Sequence, residues 1–181
     1  LAIKQWEALE NFIGDAPVLP MVDVSGSMGC PVGGGASLTC MDVAVSLGLY
    51  CADKNKGSFK DLFLTFTSVP KLQKLQGNVV QKLAQLQRAE WGMSTDIVAA
   101  LKLIVQTAVS NNVPQAEMPS MLLVMSDMQF NQCARFDGTM LQHAQQLFAH
   151  AGYQLPKIVF WNLNAYDNVP VKFDQQGVAL V

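Results

Sequence analysis

Short apolar runs that alternate with segments of helical period constrain this chain more than any other feature. Val18-Leu19-Pro20-Met21-Val22, Leu62-Phe63-Leu64-Thr65-Phe66, Met121-Leu122-Leu123-Val124-Met125 and the stretch 157–161 read as buried strands, the first extending over 18–24. Between them lie segments with helical spacing. One opens near Ser37 or Thr39 and carries Met41, Val43, Ala44, Leu47 and Tyr50. A second, 79–88, puts Val80, Leu83 and Leu86 on one stripe. A third, 97–111, repeats Ile97, Ala100, Leu101, Ile104, Val105 and Ala108 until Asn112 and Pro114 end it, and a fourth covers 139–151. A short edge strand is expected at 71–75 after Pro70, and another strand begins at 178–181. Strands alternating with helices of this length predict an α/β fold. The sheet is doubly wound and mostly parallel, Rossmann-like, with helices on both faces and right-handed crossovers.

Composition narrows the function classes. Half of the 181 residues are hydrophobic and 14% are charged, which favours a packed body over disorder. A net charge of -2 gives no global basic field for nucleic acid. Lys54, Lys56, Lys60, Lys71, Lys74 and Lys82 gather in one stretch, but Asp53 and Asp61 interrupt it, so it reads as a solvated rim. Cys30, Cys40, Cys51 and Cys133 contain no CxxC pair. They are expected as free thiols of a reducing compartment, which places the protein in the cytoplasm. Neither a signal peptide nor an apolar stretch of about 18 residues is visible, so no membrane partner is expected. Residues 1–13 carry apolar Leu1, Ile3, Trp6, Leu9, Phe12 and Ile13 and predict an amphipathic helix. With Leu1 in place of a Met and an end inside Val178-Ala179-Leu180-Val181, residues 1–14 read as a lead-in from a preceding region. Residues 15–181 then read as one domain cut near its last strand.

The polar residues at the strand ends carry the functional signal. Asp23, Ser25 and Ser27 place a carboxylate and two hydroxyls at every second position where the first strand leaves the sheet. Such oxygens can converge on one point and suit a hard divalent cation; Mg²⁺ takes oxygen ligands at about 2.0–2.1 Å and keeps several waters. In an open α/β sheet, ligands sit outside the carboxyl ends of the strands where strand order switches. Asp127 ends the Met121–Met125 run, so Asp23 and Asp127 share that crevice if their strands are neighbours. Thr95 can reach the same point from the loop before the third helix, where either Thr95 or Asp96 can cap the orphan amides.

Asp23-Val24-Ser25-Gly26-Ser27-Met28, Gly92-Met93-Ser94-Thr95-Asp96 and Ser126-Asp127 together resemble the metal-ion-dependent adhesion site of von Willebrand factor type A domains, over roughly residues 15–181. The wording of the first motif and the Met-rich core resemble the intracellular Ro autoantigen kind, and also large uncharacterised proteins that carry such a domain at the C-terminal end. The resemblance implies that Asp23, Ser25 and Ser27 hold Mg²⁺, with Mn²⁺ or Ca²⁺ as alternatives, and that Thr95 and Asp127 bind directly or through water. It implies that an acidic group of a partner fills the open position. Met28, Gly92 and Ser94 are candidate partner contacts beside the motifs, and Phe130, downstream of Asp127, either joins them or packs in the core. In Ro proteins a helical region ahead of this domain binds RNA, so RNA is expected only through a region outside this chain. The stretch 30–36, rich in glycine, departs from the simplest members by lengthening the loop after the first motif.

Enzymatic readings fit less well. An aspartyl-phosphate phosphatase with Asp23 as nucleophile is the alternative, but its general acid two residues on is replaced by Ser25. No GxSxG surrounds Ser25 or Ser27, and Gly33-Gly34-Gly35 lacks the GK[ST] ending of a phosphate loop. His143 and His150 read as surface or half-buried residues. Phe136 reads as a packing residue, and Trp91, beside Gly92 and Thr95, either rims the metal site or packs under its loop. The expectation is a binding module and not an enzyme.

Overall fold

A computed structural model describes residues 2–32, 37–66, 69–88, 96–127, 138–164 and 178–180. The strands are β1 (Val18–Asp23), β2 (Leu62–Phe66), β3 (Lys71–Lys74), β4 (Met121–Ser126), β5 (Lys157–Asn162) and β6 (Val178–Leu180). The helices are α1 (Ala2–Glu7), α2 (Cys40–Lys54), α3 (Val79–Gln87), α4 (Ile97–Ser110) and α5 (Gly138–His150). The strands form one sheet in the order β3-β2-β1-β4-β5-β6, parallel except for the β2–β3 pair. This is the doubly wound, Rossmann-like α/β architecture that the alternation of patterns predicts.

Every residue of β1 is buried, as expected of a central parallel strand covered on both faces. Its odd-numbered Leu19 and Met21 join Leu122, Val124, Ile158 and Phe160 under α4 and α5. Val22 and Met125 face the other way and pack with Phe63 under Ala44, Val45 and Leu49 of α2 and Leu86 of α3. On that second face α2 comes so close that a Cβ at Gly48 would lie 2.6 Å from Val22 Cγ2. Pro20 sits inside this central strand although it has no N–H to give. Pairing with β2 starts only at Met21, and the preceding stretch on that side is completed by Asn55, whose side chain receives the Val18 N–H and donates to the Val18 carbonyl.

Helix starts follow local chemistry. Thr39 and Asp42 form a capping box on α2, Asn78 and Gln81 one on α3, and Asp96 accepts from Ala99 N–H at the start of α4. Of the two candidates for the α4 cap, Asp96 is therefore the one seen; Thr95 lies outside the described residues. The predicted apolar stripe of α4 is buried at every position named.

Three expectations need correction. The helix at the start ends at Glu7, not Ile13, because Asn11 Oδ1 takes the Ile13 N–H in a turn and Gly14 adopts φ +73°. The stripe on α3 is rotated: Val80 and Leu83 are exposed, while Lys82 and Leu86 point inward. Lys82 consequently leaves the solvated rim. Its ammonium donates to Asp53 and, at 2.6 Å, to Asp61, and Asp53 also accepts from Trp6 Nε1 at 2.9 Å. Long-range ion pairing has overridden the local hydrophobic period there.

Candidate metal centre

The sheet order creates the site. The chain leaves β1 for β2 on one side and later returns to β4 on the other, so strand order switches between β1 and β4. The register Val22↔Met125 then sets Asp23 beside Ser126 at the carboxyl ends of these neighbouring strands.

Asp23 is fully buried there. One carboxylate oxygen accepts the Ser25 N–H at 2.9 Å, and the other accepts the Ser126 hydroxyl at 2.6 Å. The first bond turns the chain out of the strand into a tight 3-10 turn, Gly26–Gly29, in which Met28 N–H donates to Ser25 O and Cys30 N–H to Ser27 O. The turn folds the two serines onto each other, with Ser25 Oγ and Ser27 Oγ 3.0 Å apart. That is a hydroxyl–hydroxyl hydrogen bond. It is also the edge of an octahedron whose ligands lie about 2.1 Å from its centre, an edge of about 3.0 Å. Asp127, also fully buried, follows Ser126 at the end of β4.

The electrostatics of Asp23 are set by burial beside a second carboxylate. Burial raises the pKa of Asp23 above its ordinary value, the hydrogen bonds from Ser126 and Ser25 oppose the rise, and the negative charge of Asp127 adds to it. Among the described residues no cationic side chain pairs with Asp23. Nor do three His, Cys, Asp or Glu side chains cluster as a metal site among them. A cation here would rely on hydroxyl oxygens and two carboxylates. That donor set is hard, of low total charge, and fits Mg²⁺ better than a softer ion.

Of the sequence-based candidates, Asp23, Ser25, Ser27 and Asp127 come to one end of the β1–β4 pair. Thr95, Gly92, Ser94 and Phe130 lie outside the described residues, as do Trp91 and Phe136. Met28, expected to flank a partner, is instead fully buried. The 3-10 turn rolls it into the core under α2, and its Sδ accepts the Asp127 N–H at 3.1 Å. Met28 thus ties the first motif to the end of β4. Ser126 is the residue the motif reading passed over: it orients Asp23 and depends on the strand register, which no local pattern announces. His143 and His150 are exposed on α5.

Next to the centre lie two thiols. Cys30 follows the 3-10 turn and Cys40 opens α2, with Sγ atoms 3.1 Å apart. Cys40 also donates to Leu163 O at 3.3 Å, and Asn164 Nδ2 approaches Cys30 Sγ at 3.4 Å. Burial first, then the Cys30 thiol and the charge of Asp127, push the Cys40 pKa up to about 12.

Fold and site together define an open-sheet α/β domain with buried carboxylates and hydroxyls gathered at its switch point. The family described as a domain of unknown function, DUF7788, matches residues 18–181, and the chain belongs to that family. The uncharacterised protein L728 of Acanthamoeba polyphaga mimivirus is 32% identical over 191 residues, which cover 100% of this chain and 32% of that protein. The crystal structure of the Ro (RSR) protein of Deinococcus radiodurans is similar with a TM-score of 0.62 at 19% identity, over 97% of this chain and 33% of that one. The chain thus spans about a third of the length of either relative. At this identity the likeness to the Ro protein is one of fold, and at that level it agrees with the Ro-like resemblance of the sequence. Among the described residues no helix is long and apolar enough to cross a membrane.

Proposed function

We propose that this domain is a non-catalytic, divalent-cation-binding interaction module of the von Willebrand factor type A kind. Asp23, Ser25 and Ser27 hold Mg²⁺, or Mn²⁺ or Ca²⁺ in its place, and Thr95 and Asp127 bind it directly or through water. The observation that carries the reading is Asp23: a fully buried carboxylate at the switch point, with no cationic partner among the described residues, next to two hydroxyls at ligand spacing. Desolvation that penalises the Asp23 charge favours any cation that neutralises it. Once bound, Mg²⁺ supplies a Lewis-acidic position for the carboxylate of a partner protein or neighbouring domain. With only two carboxylates facing a doubly charged ion, an incoming acid still gains from joining it.

The chain's own residues set the geometry. Ser126 fixes one oxygen of Asp23, the Ser25 N–H fixes the other, and the 3-10 turn presents Ser27. In a longer protein of the Ro-like ribonucleoprotein or uncharacterised intracellular kind, the module serves cytoplasmic assembly, and any RNA contact belongs to a region outside this chain.

Calorimetric titration of Mg²⁺ and Mn²⁺ into chelator-stripped protein tests the reading, with Asp23→Ala alongside. Saturable binding that disappears in the variant is the expected result. Equal affinity in both proteins overturns it. Hydrolysis of a phosphomonoester by the Mg²⁺-loaded protein, lost in Asp23→Ala, would replace the interaction role with the phosphohydrolase alternative.

A further inference from the structure

The loop that departs from the first motif is closed at its base by two cysteines. Cys40 N–H donates to Cys30 O at 2.9 Å, Val32 N–H donates to Leu38 O at 2.9 Å, and Pro31 and Thr39 form an antiparallel bridge between them. Cys30 and Cys40 therefore face each other across the end of a short ladder, joined by that one bond while the Cys30 N–H turns back to Ser27 O; opposed residues that exchange both bonds have Cα atoms about 5.5 Å apart. Disulfides span Cα separations of about 4.4–6.8 Å. The sulfurs are already 3.1 Å apart and need to close by only about 1 Å to reach bonding distance. Cys51, the third described cysteine, is buried eleven positions further along α2, beyond reach of either.

We propose that Cys30 and Cys40 are a reversible disulfide site, oxidised by a low-molecular-mass disulfide of the glutathione class. The half-buried Cys30 reacts first: its thiolate attacks one sulfur of the oxidant, expels one glutathione thiolate and leaves a mixed disulfide on Cys30. Cys40 then loses its proton to solvent and attacks the Cys30 sulfur, expelling the second glutathione. The protein gives up two protons and two electrons, and the oxidant takes up both as two thiols. Burial, the largest influence raising the Cys40 pKa, makes this second step the slow one, and the smaller influences of the Cys30 thiol are gone once that sulfur is capped. The bond joins the turn that carries Ser27 to the first residue of α2, so the oxidised and reduced chains differ beside the acidic strand ends. In the reduced chain the same pair is an S–H···S contact.

The test does not depend on metal binding. The reduced chain is equilibrated with excess oxidised glutathione, acid-quenched, treated with iodoacetamide and cleaved by chymotrypsin, for which the exposed Leu38 offers a site inside the loop. The expected result is an intact mass lower by two hydrogens and peptides either side of Leu38 that stay joined until reductant is added. Cys51→Ser retains the linkage and Cys30→Ser loses it. A stable glutathione adduct on Cys30 with Cys40 alkylated, full alkylation of both, or a linkage through Cys51 or Cys133 each overturns the proposal.

Discussion

Asp23 and Asp53 are both withdrawn from water, yet their carboxyl groups respond in opposite directions. At Asp53 burial alone would raise the pKa, but hydrogen bonds from Lys82 and Trp6 and the Lys82 charge outweigh it and hold the group below its ordinary value. Lys82 mirrors this: burial would lower its pKa, and Asp53 and Asp61 raise it instead. That cluster carries its own cation and is complete within α1, α2, α3 and the turn before β2. At Asp23 burial prevails, and the nearest added charge, Asp127, is of the same sign. The two regions teach that the carboxyl of Asp53 is neutralised by a lysine of its own cluster, whereas Asp23 at the switch point has no cationic partner among the described residues.

The largest expected effect comes from breaking the complete cluster. Lys82→Met leaves Asp53 and Asp61 facing each other without the buried ammonium, and we expect a loss of about 3 kcal/mol, the low end for removing one partner of a buried ion pair because both carboxylates keep some solvent. Urea denaturation at neutral pH measures it. A loss below about 1 kcal/mol would mean that the cluster is no more than a surface ion pair, and the contrast with Asp23 would lapse.

Ser126→Ala comes next and acts on the other region. It removes the donor at 2.6 Å from Asp23 while leaving the strand intact. Outer partners that orient metal ligands are worth about 10–100-fold in affinity. We expect Mg²⁺ affinity to fall within that range, with the urea midpoint of the metal-free protein shifted far less than in Lys82→Met. Unchanged affinity would remove Ser126 from the site.

These two variants also mark what the sequence could and could not tell. The strand runs and the α4 stripe are local patterns, repeated within ten or fifteen residues, and they survive folding because nothing distant competes with them. The Asp23-Ser25-Ser27 motif is equally local, and the 3-10 turn brings its oxygens together. Lys82 and Ser126 escape such a reading. Each acquires its role from partners 21 to 103 positions away, through the packing of α3 on the turn before β2 or the register of β4 on β1. Met28 differs for a related reason: its position next to the motif suggests exposure, but the turn that leaves Ser27 half-buried rotates Met28 into the core.

The smallest effect is also the sharpest discriminator, because it differs in sign between the two regions. For Asp53 the folded pKa lies below the unfolded one, so the folded state binds fewer protons; its stabilisation is present above about pH 4 and is lost as pH falls through the lowered value. For Asp23 the folded pKa lies above the unfolded one. The folded state then holds a proton that the unfolded chain has released, and metal-free stability falls as pH rises from about 4 through the raised value. Asp53→Asn should therefore destabilise at neutral pH and flatten the acid limb of the stability profile. Asp23→Asn should stabilise the metal-free protein by about 1 kcal/mol at neutral pH, since an amide can keep its oxygen for the Ser25 N–H and turn its NH2 to the Ser126 hydroxyl oxygen without the cost of a buried charge. Urea midpoints across pH 3–8 in a chelating buffer read both slopes. If Asp23→Asn instead destabilises at neutral pH, its carboxylate is satisfied within the chain and the switch point has no call for a cation; if it stabilises only when chelator is present, the ion is what the buried charge was set there to meet.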